Sequence, residues 1–199
     1  NSVDAFGLQS LYSNTSGAVN SAFGSQALYS NTTGSSNNAF GYYALGSNTT
    51  GSSNVAVGRE SLHANTTASY NTAVGYQAAY SNTTGTQIIA LGYQALYGNT
   101  SGAYNNAIGN GVMSGNTTGS YNNAVGGLDN AVGITAATNS TGSANNAFGH
   151  GALALNTSNY NSAFGHQALA HNTTASNNTA VGYQAGYSNT TGSPNCFIG

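Results

Sequence analysis

The sequence predicts an all-β protein built as a parallel β-solenoid, in which each turn of the chain stacks on the turn before it. Three observations predict this fold. An Ala-apolar-Gly triplet recurs every 17 residues over most of the chain, and a fixed period marks a repeat architecture. Seventeen residues are too few for a helical repeat, whose two helices and turns need more than about 30. Glycine at two points of each unit, with β-branched and aromatic residues between them, favours short strands.

The triplet alanines set the order of the elements. They are Ala5, Ala22, Ala39, Ala56, Ala73, Ala90, Ala107, Ala124, Ala147, Ala163 and Ala180. Phe197-Ile198-Gly199 stands in the same frame at the end. Residues 1–199 are therefore predicted to form one solenoid domain of about twelve turns. At about 4.8 Å per turn the stack would be on the order of 55 Å long. Because the chain begins almost in phase with the repeat, we expect it to be a fragment of a longer chain.

Two irregularities interrupt the period. The spacing rises to 23 between Ala124 and Ala147, because Ala131-Val132-Gly133 repeats the triplet early. We predict an insertion near 127–133, with Gly127-Leu128-Asp129-Asn130 as a loop on one side of the stack. One residue is also missing between Ala147 and Ala163, around Asn159.

Each unit is numbered here from its alanine as position 1 to position 17. A representative copy runs from Ala39 through the turn Asn48-Thr49-Thr50-Gly51 at positions 10 to 13, to Asn54 at position 16 and Val55 at position 17. Asparagine at position 16 is predicted to form a structural amide ladder, because stacking brings each copy within about 5 Å of the next. The ladder residues are Asn20, Asn37, Asn54, Asn71, Asn105, Asn122, Asn145, Asn161, Asn178 and Asn195, with Ile88 as the interruption.

Charged residues make up 2% of the chain and comprise Asp4, Arg59, Glu60 and Asp129. Like charges in register would repel one another in a stack, which accounts for their scarcity. Without a basic stripe we expect no nucleic-acid partner, and without an apolar run of about 18 residues we expect no membrane insertion. The lone Cys196 allows no internal disulfide and is predicted to be a small buried residue.

The alanine of each triplet and its apolar neighbour should point to opposite faces of a strand, yet both columns are apolar. One column can fill the core, and the other then needs a second chain, since a continuous apolar stripe is an association surface. We predict a homo-oligomer or fibril, with a trimer as the expected form. The alternative is a thick turn enclosing both columns. Pairs such as Ala27-Leu28 and Ala44-Leu45 predict a second strand in each turn.

The units Asn54-Val55-Ala56-Val57-Gly58 and Asn71-Thr72-Ala73-Val74-Gly75-Tyr76-Gln77-Ala78 resemble the head repeats of trimeric autotransporter adhesins. They are also similar to the Asn-Thr-Ala-Val-Gly-Tyr-Gln-Ala repeats of tail-fibre-like proteins of phages and bacteria. The resemblance covers essentially the whole chain. It implies a left-handed parallel β-roll, often trimeric, on an extracellular fibre, cell surface or virion, with no catalytic residues. The longer turn and its Asn-Thr-Thr-Gly segment depart from the adhesin pattern.

An Asn-x-Ser/Thr triplet occupies position 10 in every complete unit. The candidate glycosylation sites are Asn14, Asn31, Asn48, Asn65, Asn82, Asn99, Asn116, Asn139, Asn156, Asn172 and Asn189. A glycan, N-linked here or O-linked on the neighbouring threonines, would coat a rod that has almost no charge to keep it soluble. The alternative is turn chemistry alone, since asparagine and glycine both accept left-handed backbone geometry.

Other columns suggest weaker alternatives. Regular threonines such as Thr32 and Thr49 suggest ice binding as an alternative function. A flat ice-binding face usually needs two threonine columns side by side, whereas the adjacent threonines of this turn should point in opposite directions. Tyrosines such as Tyr76 and Tyr93 are predicted to stack, with sugar binding as the alternative. His150 and His166 fall in one column and could share a metal, but without a third ligand we interpret them as tyrosine substitutes.

No cofactor and no enzymatic activity are expected, because the acidic residues fall in different turns from the histidines. The sequence thus favours a structural subunit of an extracellular fibre, a rod-like shaft with its Asn-Thr-Thr-Gly turns outward. An adhesin or tail-fibre segment that binds surface glycans is the alternative, and an ice-binding solenoid is a lesser one.

Overall fold

The computed structural model describes residues 3–127 and 141–199, and these form the predicted parallel β-solenoid of about eleven turns. Each turn contributes one short strand, and within the described residues twelve strands pair in chain order in a single sheet. The strands are β1 Val3–Phe6, β2 Asn20–Phe23, β3 Asn38–Phe40, β4 Val55–Val57, β5 Thr72–Val74, β6 Ile89–Leu91, β7 Asn106–Ile108, β8 Asn123–Val125, β9 Asn146–Phe148, β10 Ser162–Phe164, β11 Thr179–Val181 and β12 Cys196–Ile198.

The stacking register is the one that the period predicts, with equivalent positions directly above one another. Ala22 pairs with Ala39, and Phe23 pairs with Phe40. At the end of the chain Phe197 takes the alanine place opposite Ala180. Each repeat position therefore forms a continuous file of side chains along the stack.

Both irregularities leave this register intact. Ala124 pairs with Ala147 across the insertion, so that the strands on its two sides keep the common register. The predicted loop Gly127-Leu128-Asp129-Asn130 lies outside the described residues after Gly127. The missing residue falls in the turn at Thr157, because Asn156 Nδ2 donates to the carbonyl of Ser158, two residues on rather than three.

The core is narrow and consists mainly of alanine and leucine. The triplet alanines from Ala22 to Ala180 are fully buried, and so are Ala27 and Leu28 with most of their counterparts. The second strand predicted at Ala27-Leu28 is wrong. Leu28 has a φ of +52° and Gln26 one of +60°, so this segment is a turn in left-handed geometry. The alternation of a strand is lost there, and alanine and leucine both point inward.

Hydrogen bonds between turns hold this strained segment in place. Leu28 N donates to Ala44 O at 3.0 Å, and Ser30 N donates to Gly46 O at 3.0 Å. A left-handed residue other than glycine costs about 1–2 kcal/mol. The buried leucine and the bonds to the next turn offset that cost at each repeat.

Position 16 forms the predicted asparagine ladder inside the solenoid. Asn37 N donates to Asn20 Oδ1 at 2.9 Å, and Asn37 Nδ2 donates to Gly51 O at 2.8 Å. Asn37 Oδ1 in turn accepts from Asn54 N at 3.0 Å. Each amide thus supplies the acceptor for a buried backbone N–H and adds a second donor to a carbonyl that also accepts from position 10, as Gly51 O does from Asn48 Nδ2.

Candidate interaction surface

Positions 17 and 2 flank the buried alanine of each strand, and strand alternation points both of them away from the core. Because position 2 is apolar in every turn, the outward face of the sheet carries a continuous apolar stripe. Position 2 forms what we call the outer apolar file. Its members are Phe6, Phe23, Phe40, Val57, Val74, Leu91, Ile108, Val125, Phe148, Phe164, Val181 and Ile198. Phe40 is 40% exposed, Val74 39% and Phe164 41%. The thick turn that encloses both columns is therefore wrong.

Phenylalanines in neighbouring turns stack within this file. The ring centroids of Phe23 and Phe40 are 5.0 Å apart with the planes at 3°, and those of Phe148 and Phe164 are 5.3 Å apart. Each ring covers a face of its neighbour and leaves an edge to solvent. The file is thus a ridge that repeats once in every turn.

Position 17 lies beside the ridge on the same face and is mostly smaller and more polar. This small outer file consists of Asp4, Ser21, Asn38, Val55, Thr72, Ile89, Asn106, Asn123, Asn146, Ser162, Thr179 and Cys196. Its amides also bond along the stack, as where Asn106 Nδ2 donates to Asn123 Oδ1 at 2.6 Å. Cys196 is exposed here, and the prediction of a buried cysteine is wrong because position 17 points outward.

The candidate glycosylation column at position 10 forms a second amide ladder within the turn. Asn31 Nδ2 donates to Asn14 Oδ1 at 2.8 Å and to Gly34 O at 3.0 Å. Asn31, Asn48, Asn65, Asn82, Asn99, Asn116, Asn156 and Asn172 are fully buried. Asn14 and Asn189, near the two ends, are partly buried, and Asn139 lies outside the described residues.

The nitrogen that would carry an N-linked glycan is thus enclosed and donates two hydrogen bonds. This packing favours turn chemistry over a sugar at position 10. The hydroxyl of position 11 is also engaged, since Thr32 Oγ1 donates to Thr49 O at 3.0 Å. Thr33 at position 12 is exposed, and threonines of its file are the turn residues with room for an O-linked group.

Tyrosines at position 4 form a stacked file beyond the ridge. The rings of Tyr76 and Tyr93 are 5.3 Å apart with the planes at 11°. The guanidinium of Arg59 lies 5.5 Å from the ring centroid of Tyr42 and 6.0 Å from that of Tyr76. Ring faces that a sugar would need are therefore covered by neighbours, and the arrangement favours packing over a sugar platform.

Glu60 is the carboxylate beside this file, and it is held by two donors. Gln77 Nε2 donates to it at 2.7 Å, and the side chain of Arg59 donates to it at 3.2 Å. These hydrogen bonds, that of Gln77 above all, lower the pKa of Glu60 below its ordinary value. The carboxylate is thus a stable anion inside a local cluster.

His150 and His166 continue the tyrosine file. Their ring centroids are 5.1 Å apart with the planes at 11°, and His166 stacks on Tyr183 at 5.4 Å. Among the described residues there is no group of three or more His, Cys, Asp or Glu side chains that could hold a metal ion. The arrangement agrees with the interpretation of these histidines as tyrosine substitutes.

A second aromatic file lies at position 8, and in one turn glycine replaces its aromatic residue, a change that the sequence analysis did not identify. Gly46 leaves a gap between Tyr29 and His63, and the ring of Tyr43 from position 5 folds over this glycine. The Tyr43 ring stacks on that of Tyr29 at 6.5 Å and lies 4.8 Å from that of His63, with the two planes tilted by 50°. The signal was present in the sequence as two departures three residues apart, a tyrosine for glutamine and a glycine for tyrosine.

Comparison of the chain with known protein families, characterised proteins and solved structures gave no match. Residues 3–127 and 141–199 contain no helical segment that could span a bilayer.

Proposed function

We propose that this protein is a structural subunit of an extracellular fibre or filament. In this proposal the solenoid is a rod-like shaft that associates with further copies of itself through the outer apolar file. The buried Asn ladders and stacked aromatics keep the rod regular, and the exposed residues at position 12, such as Thr33 and Thr50, lie at its solvent edge. The proposed role is mechanical and organisational.

The observation that carries the proposal is the outer apolar file itself. Apolar side chains about 40% exposed recur in turn after turn along one face, as at Phe23, Phe40 and Val74. Contiguous exposed apolar patches of a few hundred Å² or more mark interaction sites on soluble proteins. A file that follows the whole sheet suits a partner as long and as regular as the rod.

The charge balance supports self-association. The net formal charge is −2 over 199 residues, so that copies lying side by side repel one another little. High net charge is what ordinarily keeps proteins apart in solution. An uncharged rod with one apolar face has no such barrier to assembly.

The test is to place charge on the ridge. We expect the double variant Val57→Lys and Ile108→Lys to dissociate assemblies into single rods, because buried unpaired ammonium groups are costly. The control is Thr50→Lys and Ser101→Lys, which adds the same charges three turns apart at the exposed turn. Light scattering after size exclusion and electron microscopy would measure mass and shape. A wild-type protein that stays monomeric at high concentration would overturn the proposal.

A further inference from the structure

We infer that the protein binds an uncharged, extended polysaccharide along a file of tyrosines at position 15, the corner two residues before position 17. These tyrosines are Tyr70, Tyr104, Tyr121 and Tyr160. The other members of this corner file are Val19, Ser36, Ser53, Gln87, Ala144 and Asn177. The inference goes beyond the proposed function, because it concerns a different file and requires only one rod.

The first support is the backbone at this corner. The four tyrosines have positive φ values, from +57° at Tyr104 to +63° at Tyr70. A bulky residue is an outlier in this left-handed region, and glycine is the residue that relieves the strain. Glycine does occur at the left-handed positions 5 and 7, as at Gly111 and Gly186, but it stands at position 15 in no turn. The corner therefore keeps its side chains despite the strain.

Packing within the solenoid does not account for these tyrosines. At position 7 the side chain fills the core, as Leu28 does, and at position 5 it bonds to its copies, as where Gln94 Nε2 donates to Gln77 Oε1 at 2.9 Å. In contrast, Tyr70 is 67% exposed and Tyr160 is 63% exposed. Backbone strain that the interior does not need is typical of a functional site.

The ring faces of this file are less covered than those of the tyrosines at position 4. Tyr104 and Tyr121 stack on one another, with their centroids 4.8 Å apart and the planes at 4°, so each keeps one face free of the other. The turns next to Tyr70 and Tyr160 have no aromatic residue at position 15. Each of the four rings therefore has a face on which a sugar can stack.

The spacing of the tyrosines suits an extended sugar chain that runs along the rod. Tyr70 and Tyr104 are two turns apart, and so are Tyr121 and Tyr160. At about 4.8 Å per turn each interval is about 10 Å, close to the length of a disaccharide in an extended β-linked chain. Rings at the two ends of an interval then meet equivalent sugars. Backbone hydrogen bonds between turns hold the corner in register, as where Tyr70 N donates to Ser52 O at 3.1 Å.

The surroundings of the rings favour an uncharged and polar ligand. Two residues after each tyrosine, position 17 carries a polar side chain, and these are Thr72, Asn106, Asn123 and Ser162. No charged residue stands at position 15 or 17 from Tyr70 to Ser162. The negative face of an aromatic ring attracts the C–H groups of a sugar, and hydroxyl and amide groups can bond to the sugar hydroxyls. Separate rings among polar groups fit a polysaccharide better than they fit an apolar protein surface.

The experiment measures binding of cellohexaose, chitohexaose and mannohexaose by calorimetry, which also distinguishes the possible sugars. We expect saturable binding of at least one of the three by the wild-type chain. Tyr104→Asn places at this corner the residue that Asn177 already has there, so the solenoid should remain intact. Loss of one ring should weaken binding by about twofold to tenfold. Absence of saturable binding to all three oligosaccharides would overturn the inference.

The matched control is Tyr93→Asn, which removes a tyrosine from position 4 of the same turn. Asparagine is accepted at that position too, since Asn110 stands there in the next turn. We expect the affinity of this variant to stay within about twofold of wild type, because position 4 belongs to a separate file. Equal losses in Tyr93→Asn and Tyr104→Asn would overturn the assignment to the corner file. Circular dichroism and thermal unfolding would show that both variants are folded.

The spacing is tested by moving one ring without changing the composition. The swap Tyr70→Gln with Gln87→Tyr shifts a tyrosine by one turn and closes the first interval of two turns. We expect it to weaken binding as much as the loss of one ring does. Wild-type affinity in the swapped protein would contradict the match between tyrosine spacing and sugar repeat.

Assembly and sugar binding can be separated with the ridge variant Val57→Lys and Ile108→Lys. Its changes lie outside the corner file, so single rods of this variant should bind the oligosaccharide with wild-type affinity per chain. A Tyr104→Asn variant that changes the mass of the assembly while its sugar affinity equals that of wild type would identify the corner file as a contact between copies. That result would overturn the inference and leave the proposed function in place.

Discussion

The hydrogen bonding of the interior depends on asparagine, because its side-chain amide can donate one hydrogen bond to the next turn and accept another from it. At position 16 the amide donates to a carbonyl of the next turn and accepts an N–H from it, as Asn37 does with Gly51 and Asn54. A backbone group left unpaired in the core costs about 1–3 kcal/mol. The ladder is therefore a stability element as well as a spacer.

Replacing Asn37 with leucine, which has a similar shape, should destabilise the rod by about 2–5 kcal/mol. The change leaves Asn54 N without its acceptor and leaves Gly51 O with Asn48 Nδ2 as its donor. Ile88→Asn is the converse, because isoleucine offers no acceptor to Asn105 N, and restoring the ladder should stabilise by about 1 kcal/mol. Denaturant unfolding of both variants would check the signs. Equal effects of the two substitutions would contradict the role assigned to the amide.

The turn that follows each strand is the element that sets the shape of the solenoid. Glycine at position 3, such as Gly75 with φ +137°, takes a conformation that other residues rarely adopt. A Cβ on Gly75 would also collide with the carbonyl of Gly92 in the next turn. Glycine at position 13 is less constrained, because Ala68 and Ala175 already stand in that place.

The structure shows what a methyl group does at position 13. Beside Ala68 the Thr66 N to Thr83 O distance is 3.3 Å, whereas the Thr32 N to Thr49 O distance beside Gly34 is 2.9 Å. The amide bond from Asn82 Nδ2 to Asn65 Oδ1 also lengthens to 3.2 Å. The turns separate slightly, and the stack continues.

Gly75→Ala and Gly85→Ala should therefore differ in cost. We expect about 3–5 kcal/mol at Gly75, where backbone strain and the collision combine, and about 1 kcal/mol at Gly85, where the neighbouring turn can move. Urea unfolding followed by circular dichroism would compare them. Similar midpoints for the two variants would show that position 3 has no special backbone requirement.

The molecule as a whole is held together without charge, and this determines how it responds to its surroundings. Its stability comes from buried apolar side chains and hydrogen bonds repeated in every turn. Salt acts mainly on exposed charges, and pH acts only on groups whose pKa differs between the folded and unfolded chain. Only Arg59 and Glu60 form an ion pair among the described residues.

Stability should change little between low salt and about 1 M salt, and little between neutral pH and about pH 10, above which the pKa of Tyr80, raised by burial, begins to lower it. His63 is the expected exception. Its burial in the aromatic file lowers its pKa below the ordinary 6.5, with Glu60 and the carbonyl of Tyr43 acting in the opposite direction. The unfolded chain then binds a proton more readily, so stability present above pH 6.5 is lost as pH falls through the lower folded value.

Thermal unfolding across this range would check the expectation, and His63→Tyr, which restores the commonest residue of the file, should flatten the slope. A second loss should begin below about pH 4.5, where the lowered pKa of Glu60 contributes. Unchanged pH dependence in the His63→Tyr variant would contradict the assignment.

The 17-residue period alone was enough to predict much of the fold, because stacking gives each residue the same surroundings as the equivalent residue in the turn before. The parallel sheet, its register, the ladder of Asn20 and Asn37, and the outward direction of one apolar column all follow from 17-residue spacing and strand alternation. These features depend on side-chain alternation within a strand and on contacts between equivalent positions of adjacent turns, and the 17-residue period identifies both.

Tertiary structure decided which way the remaining columns point. Left-handed residues such as Leu28 break the alternation, so that the expected second strand became a turn with two inward side chains. The same curvature encloses the amide of Asn31 while leaving Thr33 outside, and it brings Tyr43 into the gap above Gly46. Backbone dihedrals outside the strand region set these directions, and they depend on how each turn closes onto the next.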